Sequence, residues 1–142
     1  YGKQQIGDSW YYFDEEGVRQ QNKWITDENG KYYALSDGRL CTGWLSFGNT
    51  YYYCGTDAAI VYGKQQIGDS WYYFDEEGVR QQNRWLSDEN GKYYALSSGK
   101  LAIGWLSFGN TYYYCNSNAE IVTGRQQIDG IWYTFGEDGI LQ

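Results

Sequence analysis

The chain has 142 residues, a formal net charge of −7 and no histidine. The acidic balance argues against nucleic-acid binding, which relies on basic patches, and the missing histidine excludes His-ligated metal sites and Ser–His or Cys–His catalysis. Tyr, Trp and Phe make up 20% of the residues, with 19 Gly and no Pro or Met. Aromatic rings must therefore supply most of the buried area, and the missing Met indicates a piece of a longer protein or a processed form.

The sequence is organised by a long internal repeat. Residues 10–17 read Trp-Tyr-Tyr-Phe-Asp-Glu-Glu-Gly, residues 71–78 are identical, and residues 132–139 carry a decayed copy. Each period divides into three repeats of about 20 residues, which indicates one repeat domain over residues 1–142. Its seven repeats are 1–21, 22–41, 42–61, 62–82, 83–102, 103–122 and 123–142.

Each repeat predicts a β-hairpin, because two aromatic-rich runs flank a turn dipeptide. The dipeptides are Gly7-Asp8, Gly48-Asn49 and Asp129-Gly130, whereas the middle repeats place Asn29-Gly30 and Asn90-Gly91 one residue later. An isolated hairpin is marginal in water, so neighbouring repeats must bury each other's faces. We predict an all-β fold, a solenoid of seven stacked hairpins with about three hairpins per superhelical turn.

Strand alternation sorts the side chains of the third repeat onto two faces. One face carries Trp44, Ser46, Tyr51 and Tyr53, and the other carries Leu45, Phe47, Tyr52 and Cys54. The second face is apolar and is predicted to be the core, continuing through Ile6, Tyr11 and Phe13 of the first repeat. Cys54 and its equivalent Cys115 are then expected to be buried free thiols of low reactivity.

No catalytic residue, cofactor or metal site is expected. The acidic runs 14–16 and 75–77 are interpreted as solvated turns, because adjacent carboxylates in a turn do not face each other across a cleft. The sequence offers no nucleophile–base or acid–base pair, and it has no run long and apolar enough to span a membrane.

Two segments resemble the choline-binding and cell-wall-binding repeats of bacterial surface proteins. They are Thr42-Gly43-Trp44 followed by Tyr51-Tyr52-Tyr53, and Trp71-Tyr72-Tyr73-Phe74 followed by Gly78. Such repeats are similar to the glucan-binding repeats of glucansucrases and the C-terminal repeats of large clostridial toxins. The resemblance covers all seven repeats. It implies a non-catalytic module that anchors a secreted protein to the bacterial cell surface through the choline of teichoic acids, with any catalytic domain outside this chain.

The resemblance also implies where choline binds. In those repeats, the Trp of Gly-Trp and the first ring of the Trp-Tyr-Tyr run form two walls of an aromatic cage, which a Tyr of the next hairpin completes. Only the third repeats match both walls, with Trp44 and Tyr51 and with Trp105 and Tyr112. Tyr73 is predicted to complete the first cage, whereas Thr134 holds the equivalent place in the second. The Trp44 cage is therefore predicted to be the better one.

The remaining repeats depart from the cage pattern. They place a cation at one wall position, namely Lys3, Lys31, Lys64, Lys92 or Arg125. A cation is unfavourable in the wall of a cage for another cation, so these repeats are not expected to bind choline.

An alternative ligand is an α-glucan. Residues 2–6, repeated at 63–67 and in altered form at 124–128, look like the Gly-x-Gln-x-Ile segment of glucan-binding repeats. On this interpretation, an aromatic ring stacks on a sugar face and a neighbouring glutamine hydrogen-bonds to the sugar. The pairs are Trp10 and Gln4, Trp71 and Gln65, and Trp132 and Gln126. A second alternative is a structural spacer whose rings all pack, for which Trp24 and Trp85 are the strongest candidates. A homodimer formed through one end of the solenoid is a further expectation.

Overall fold

The computed structural model describes all 142 residues and contains strands, turns and loops but no helix. The strands pair as seven separate antiparallel two-stranded sheets, each of which is one hairpin. In chain order, hairpins 1 to 7 are β1 Gly2–Ile6 with β2 Ser9–Phe13, β3 Lys23–Asp27 with β4 Gly30–Ala34, β5 Gly43–Phe47 with β6 Thr50–Cys54, β7 Gly63–Ile67 with β8 Ser70–Phe74, β9 Arg84–Asp88 with β10 Gly91–Ala95, β11 Gly104–Phe108 with β12 Thr111–Cys115, and β13 Gly124–Ile128 with β14 Ile131–Phe135. The predicted all-β fold of seven hairpins is confirmed. The chain has no helix of the length and apolarity needed to cross a membrane.

The hairpin turns follow the prediction in the third repeat but not in the middle repeats. β5 and β6 flank Gly48-Asn49, and Gly48 has a φ of 62°. In hairpin 2, however, Asp27 pairs with Gly30, so the turn is Glu28-Asn29 and not Asn29-Gly30. The Asp27 carboxylate accepts a hydrogen bond from the Asn29 N–H at 2.9 Å. This Asx turn sets the register without a left-handed residue at either turn position.

From hairpin 2 onward, the connector that follows each hairpin joins it to the hairpin before it. After hairpin 3, the chain turns at residues 55–58 and Ile60 then forms a bridge with Cys54. The Ile60 N–H donates to the Lys31 carbonyl of hairpin 2 at 2.9 Å. After hairpin 6, the Ile121 N–H donates to the Lys92 carbonyl at the same distance, 2.9 Å. These main-chain bonds satisfy groups at the hairpin edges and link hairpins that would be marginal alone.

The chain folds as two compact units. The first contains residues 1–63 and 74–80, and the second contains residues 64–73 and 81–142. Each core is assembled from small clusters between neighbouring hairpins. In the first unit these clusters are Tyr32, Ala34, Leu40 and Ala58, and Cys41, Leu45, Cys54 and Ile60; in the second unit the matching cluster is Tyr93, Ala95, Leu101 and Ala119.

The predicted core face is confirmed in the third repeat, with one correction there and one in the first repeat. Trp44 pairs with Tyr53 and Ser46 with Tyr51, as predicted. Leu45 and Cys54 are buried, but Phe47 at the end of its strand is 43% exposed. Ile6 is 57% exposed, although its equivalent Ile128 in hairpin 7 is buried.

All three cysteines are buried free thiols, as predicted for Cys54 and Cys115. A hydrogen bond with Cys41, together with burial, raises the pKa of Cys54. Burial raises the pKa of the Cys115 thiol to about 11. Because the thiolate is the reactive form, we expect both thiols to react slowly with bulky reagents in the folded protein.

Candidate ligand-binding site

A three-ring cavity lies in the second compact unit. It has a volume of about 300 Å³ and is lined by Trp105, Ser107, Tyr112, Tyr133 and Leu141. The sequence brings the first three together because Trp105 and Ser107 alternate on β11 and Ser107 pairs with Tyr112 on β12. Tyr133 comes from β14 and Leu141 from the connector after hairpin 7. The lining contains no charged side chain.

The rings of this cavity are held in place by their neighbours. The Trp105 ring lies 5.1 Å from that of Tyr133 at 75° and 5.2 Å from that of Tyr114 at 72°, both edge-to-face. The Leu141 N–H donates to the Tyr112 carbonyl at 2.8 Å, which fixes the connector against β12. Trp105 and Tyr112 are each 43% exposed. The cavity is therefore formed by fixed rings that face solvent.

Trp105 has a third ring beside it, although the sequence indicated none because Thr134 holds the position predicted for that wall. Thr134 pairs with Arg125 across hairpin 7, and Tyr133, one residue earlier, contacts Trp105. Adjacent residues of a strand point to opposite faces, so the predicted position had the wrong parity. Tyr73 holds the Thr134 position in hairpin 4, and its ring packs 5.9 Å from that of Tyr93. The Tyr73 hydroxyl donates to Asp88 at 3.4 Å.

The Trp44 and Tyr51 pair in the first compact unit has a cation of the protein over it. The guanidinium carbon of Arg80 lies 4.1 Å from the centre of the Tyr51 ring and 5.9 Å from that of Trp44. The Trp44 ring also packs edge-to-face on Tyr53 at 5.2 Å and lies 6.1 Å from Phe74. The structure thus brings together Trp44 and Tyr51 as predicted, but with Arg80 as a third member.

The other five tryptophans also face a cation of the chain. Lys3, Lys31, Lys64, Lys92 and Arg125 lie over Trp10, Trp24, Trp71, Trp85 and Trp132 at 4.6, 4.6, 4.5, 4.7 and 3.9 Å, respectively. Lys3 is also 4.8 Å from Tyr32, and its ammonium donates to the Asp57 carbonyl at 2.7 Å. Trp105 alone has no lysine or arginine over its ring. In the cation-bearing repeats, a positive charge of the protein therefore already lies beside each tryptophan ring.

The middle-repeat tryptophans pack between hairpins. The Trp24 ring lies 5.1 Å from Tyr33 of its own hairpin and 5.0 Å from Tyr52 of hairpin 3. Trp85 repeats this arrangement in the second unit, at 5.0 Å from Tyr94 and 4.9 Å from Tyr113. Both rings therefore contribute to packing between neighbouring hairpins.

The proposed glycan-binding pairs are not brought together in hairpins 1 and 7. Gln4 pairs with Tyr11, and Gln5 pairs with Trp10, so Gln4 and Trp10 lie on opposite faces. The Gln4 amide donates instead to the Tyr1 carbonyl at 3.0 Å. Gln126 likewise donates to the Thr123 carbonyl at 2.7 Å, while Trp132 lies beneath Arg125. In the second unit, the Trp71 indole N–H donates to the Ser117 carbonyl at 3.2 Å.

A second cavity of about 400 Å³ adjoins Trp10 in the first compact unit. Its lining is more polar than that of the Trp105 cavity and consists of Asp8, Ser9, Trp10, Leu35, Arg39, Leu40 and Thr42. The Trp10 indole N–H is already used, because it donates to the Thr56 carbonyl at 3.0 Å. Arg39 is paired with Asp37 at 2.8 Å.

Three aspartates have structural roles in turns and beside a buried ring. Asp14 accepts from the N–H groups of Glu16 and Val18, and Asp75 accepts from those of Glu77 and Val79, so each acidic run closes a turn. Asp27 accepts from the hydroxyl of Tyr32 at 3.3 Å, and burial beside this carboxylate raises the pKa of Tyr32 to about 12. No cluster of three or more His, Cys, Asp or Glu side chains could hold a metal ion.

Position 141 was not singled out in the sequence, although the repeat contains the signal. Residues 19, 80 and 141 are equivalent, one period apart, and they read Arg, Arg and Leu. The signal is this replacement of a cation by an apolar residue in the third copy, beside the aromatic pair that lacks a cation. What the sequence does not show is that this position lies over the rings of the preceding hairpin.

The chain is similar to known proteins in both sequence and structure. The family model of the cell wall binding repeat matches residues 4–18, 22–40, 65–79 and 83–101. CbpJ from Streptococcus pneumoniae TIGR4 is 34% identical, with a TM-score of 0.83 over 99% of this chain and 52% of its own. The choline-binding domain of Spr1274 in Streptococcus pneumoniae is 33% identical, with a TM-score of 0.50 over 58% of this chain and 95% of that domain.

A pneumococcal cell wall endolysin from phage Cp-1, solved in complex with choline, is a more distant match. It is 26% identical, with a TM-score of 0.62 over 91% of this chain and 40% of its own. No curated protein sequence matches the chain. The chain spans about half the length of CbpJ, at 52%. Together with the hairpins and their aromatic pairs, these matches show that the chain belongs to the family of choline-binding, cell-wall-binding repeats.

Proposed function

We propose that this chain is a module that binds choline at the Trp105 cavity and thereby anchors a secreted bacterial protein to choline-bearing teichoic acid of the cell wall. The observation that carries the proposal is the ring cavity of Trp105, Tyr112 and Tyr133, which no cation of the protein fills. This assignment reverses the order expected from the sequence, which favoured Trp44.

The chemistry of the cavity suits a quaternary ammonium. Such a group has no N–H to donate, so carboxylates and carbonyls offer it no hydrogen bond, and attraction to aromatic faces is its main means of recognition. The cavity supplies three rings, an aliphatic side chain from Leu141 and one hydroxyl from Ser107. Its volume of about 300 Å³ is at the small end of ligand sites. A headgroup the size of choline is therefore a better match than an oligosaccharide.

The relatives add independent support. The Cp-1 endolysin was solved with choline bound, and the Spr1274 segment is a choline-binding domain. The proposed cavity uses the residue types that the family resemblance implies, namely a Gly-Trp Trp and the first Tyr of an aromatic run. Attachment through teichoic acid follows from carrying this ligand over to the present chain.

Isothermal titration with choline tests the proposal. We expect one site per chain, lost in Trp105→Ala and retained in the matched variant Trp44→Ala, with circular dichroism to show that both remain folded. Each ring facing a desolvated cation contributes about 1–2 kcal/mol, so losing Trp105 should weaken binding at least about tenfold. The absence of choline binding by the parent chain, or equal losses in the two variants, would contradict the assignment.

The cavity beside Trp10 favours a second candidate, binding of an α-glucan. An indole ring combined with hydroxyl, carboxylate and guanidinium groups is a suitable lining for a sugar. The same titration with a short α-glucan tests this candidate, and binding that depends on Trp10 but not on Trp105 would support it. Retention of the chain on dextran with no response to choline would favour the glucan over choline.

A further inference from the structure

Arg80 and Leu141 occupy equivalent places in the two third-repeat junctions. Each follows a connector turn whose glycine is left-handed, with φ of 87° at Gly78 and 86° at Gly139. The Arg80 N–H donates to the Tyr51 carbonyl at 2.8 Å, and the Leu141 N–H donates to the Tyr112 carbonyl at 2.8 Å. Because the main chain is held in the same way, the two side chains start from the same position relative to their aromatic pair.

The side chains of Arg80 and Leu141 differ in how much of the neighbouring tyrosine ring they cover. The guanidinium of Arg80 lies over Tyr51, with its central carbon 4.1 Å from the ring centre. Guanidinium groups are weakly hydrated and stack well on aromatic faces. Tyr51 is half-buried beneath it, whereas Tyr112 is 43% exposed beside Leu141. Arg80 thus covers the ring face that remains open at Tyr112.

The guanidinium is in the place where a ligand cation would have to lie. A group that contacts both Trp44 and Tyr51 must occupy the space that Arg80 fills at 5.9 and 4.1 Å from them. As part of the chain, Arg80 competes as a tethered ligand, whose effective concentration is of the order of millimolar or higher. An external quaternary ammonium would therefore bind this junction with an apparent affinity lowered by that competition.

We propose that Arg80 is a specificity-determining residue: its guanidinium acts as an internal ligand that keeps the Trp44–Tyr51 pair closed to external cations, and Leu141 leaves the Trp105 cavity open. The residue at this one repeat position thus sets how many sites a chain of these repeats offers. The inference rests on the proposed function, because it takes a quaternary ammonium as the ligand.

Exchanging the two residues tests the inference. Choline is titrated calorimetrically into the full chain and three variants. We expect one site in the parent, two in Arg80→Leu, none in Leu141→Arg, and one in the double exchange. In the double exchange, Trp44→Ala should abolish binding and Trp105→Ala should not. Arg80→Leu places a residue that the equivalent junction already accommodates, so folding should be preserved, which thermal unfolding will check.

Arg19 provides a matched control for the loss of charge. It holds the same repeat position, is exposed, and its guanidinium donates to Gln21 at 3.3 Å without lying over a tryptophan. Arg19→Leu should leave the number of sites at one, and Arg80→Lys should also leave it at one, because a cation remains over the rings. A gain of a site in Arg19→Leu would show that charge alone, and not the cation over Trp44, controls binding, and would overturn the inference.

The outcomes separate this inference from the proposed function. One site in both the parent and a folded Arg80→Leu variant overturns the inference alone. Two sites in the parent, one of them lost in Trp44→Ala, also overturn it. No binding in the parent but one site in Arg80→Leu supports the inference and overturns the assignment of the Trp105 cavity. No binding in any variant overturns both.

Discussion

The Trp44 and Trp105 junctions show how one sequence motif can give two different surfaces. Residues 43–54 and 104–115 are identical, and the ring positions within the two hairpins match. At the first junction Arg80 lies over the rings, and at the second Leu141 lines an open cavity. The availability of the aromatic pair is therefore decided by the following connector, not by the motif that identifies the pair.

Substitution of the connector glycines should have the largest effects on stability, and it should affect choline binding at only one of the two junctions. Gly139 is left-handed, and a β-carbon there would collide with the Cγ2 of Ile121; at Gly78 the Cδ1 of Ile60 would lie only 2.6 Å away. We expect Gly139→Ala and Gly78→Ala each to lower the free energy of unfolding by about 2–4 kcal/mol, from left-handed strain and overpacking. Only Gly139→Ala should also weaken choline binding, because its connector carries Leu141.

Gly17 serves as the control for that pair. It has a similar φ of 83°, but an added β-carbon would meet nothing within 4 Å. Gly17→Ala should therefore show only the strain, about 1–2 kcal/mol. Denaturant unfolding combined with choline titration measures both quantities. If Gly139→Ala and Gly17→Ala lose the same stability, packing of the connector against Ile121 does not position the cavity.

The third ring should give the next largest effect. We expect Tyr133→Ala to weaken choline binding by about tenfold, because one ring of a cation cage contributes about 1–2 kcal/mol. Tyr133→Phe should retain the affinity. The neighbouring variant Thr134→Ala should change it less than about twofold, since that residue lies on the other face of β14. Calorimetric titration measures both affinities, and a larger loss in Thr134→Ala than in Tyr133→Ala would contradict the assignment of Tyr133 as the third ring.

Salt should have the smallest effect. The Trp105 cavity has no charged lining residue, and screening acts mainly on interactions between exposed charges. Raising the ionic strength from about 0.05 to about 0.5 M should therefore change the choline affinity by less than about twofold. The site opened by Arg80→Leu should show the same insensitivity. Strong weakening by salt at either junction would mean that a carboxylate contributes to binding.

Local sequence patterns determined most of the fold. Period-two alternation and a turn dipeptide fix a hairpin and its register within a few residues, which is why Trp44 was placed opposite Tyr53 and Cys54 in the core. The middle turns were misplaced by one residue because the Asp27 side chain offers its own hydrogen bond to Asn29. That signal is local too, and the aspartate two residues before Asn29 carries it.

Contacts between hairpins could not be read in the same way. Which face of hairpin 7 meets Trp105 depends on the path of the connector, so the sequence indicated Thr134 where Tyr133 makes the contact. The side chain that lies beside each aromatic pair belongs to a residue far along the chain, as Arg80 does for Tyr51. The sequence by itself determined the hairpins, the aromatic pairs and the buried thiols, because these depend on residues within one repeat. Only the tertiary structure decided which pair is open, because that depends on how one hairpin's connector packs over the rings of another.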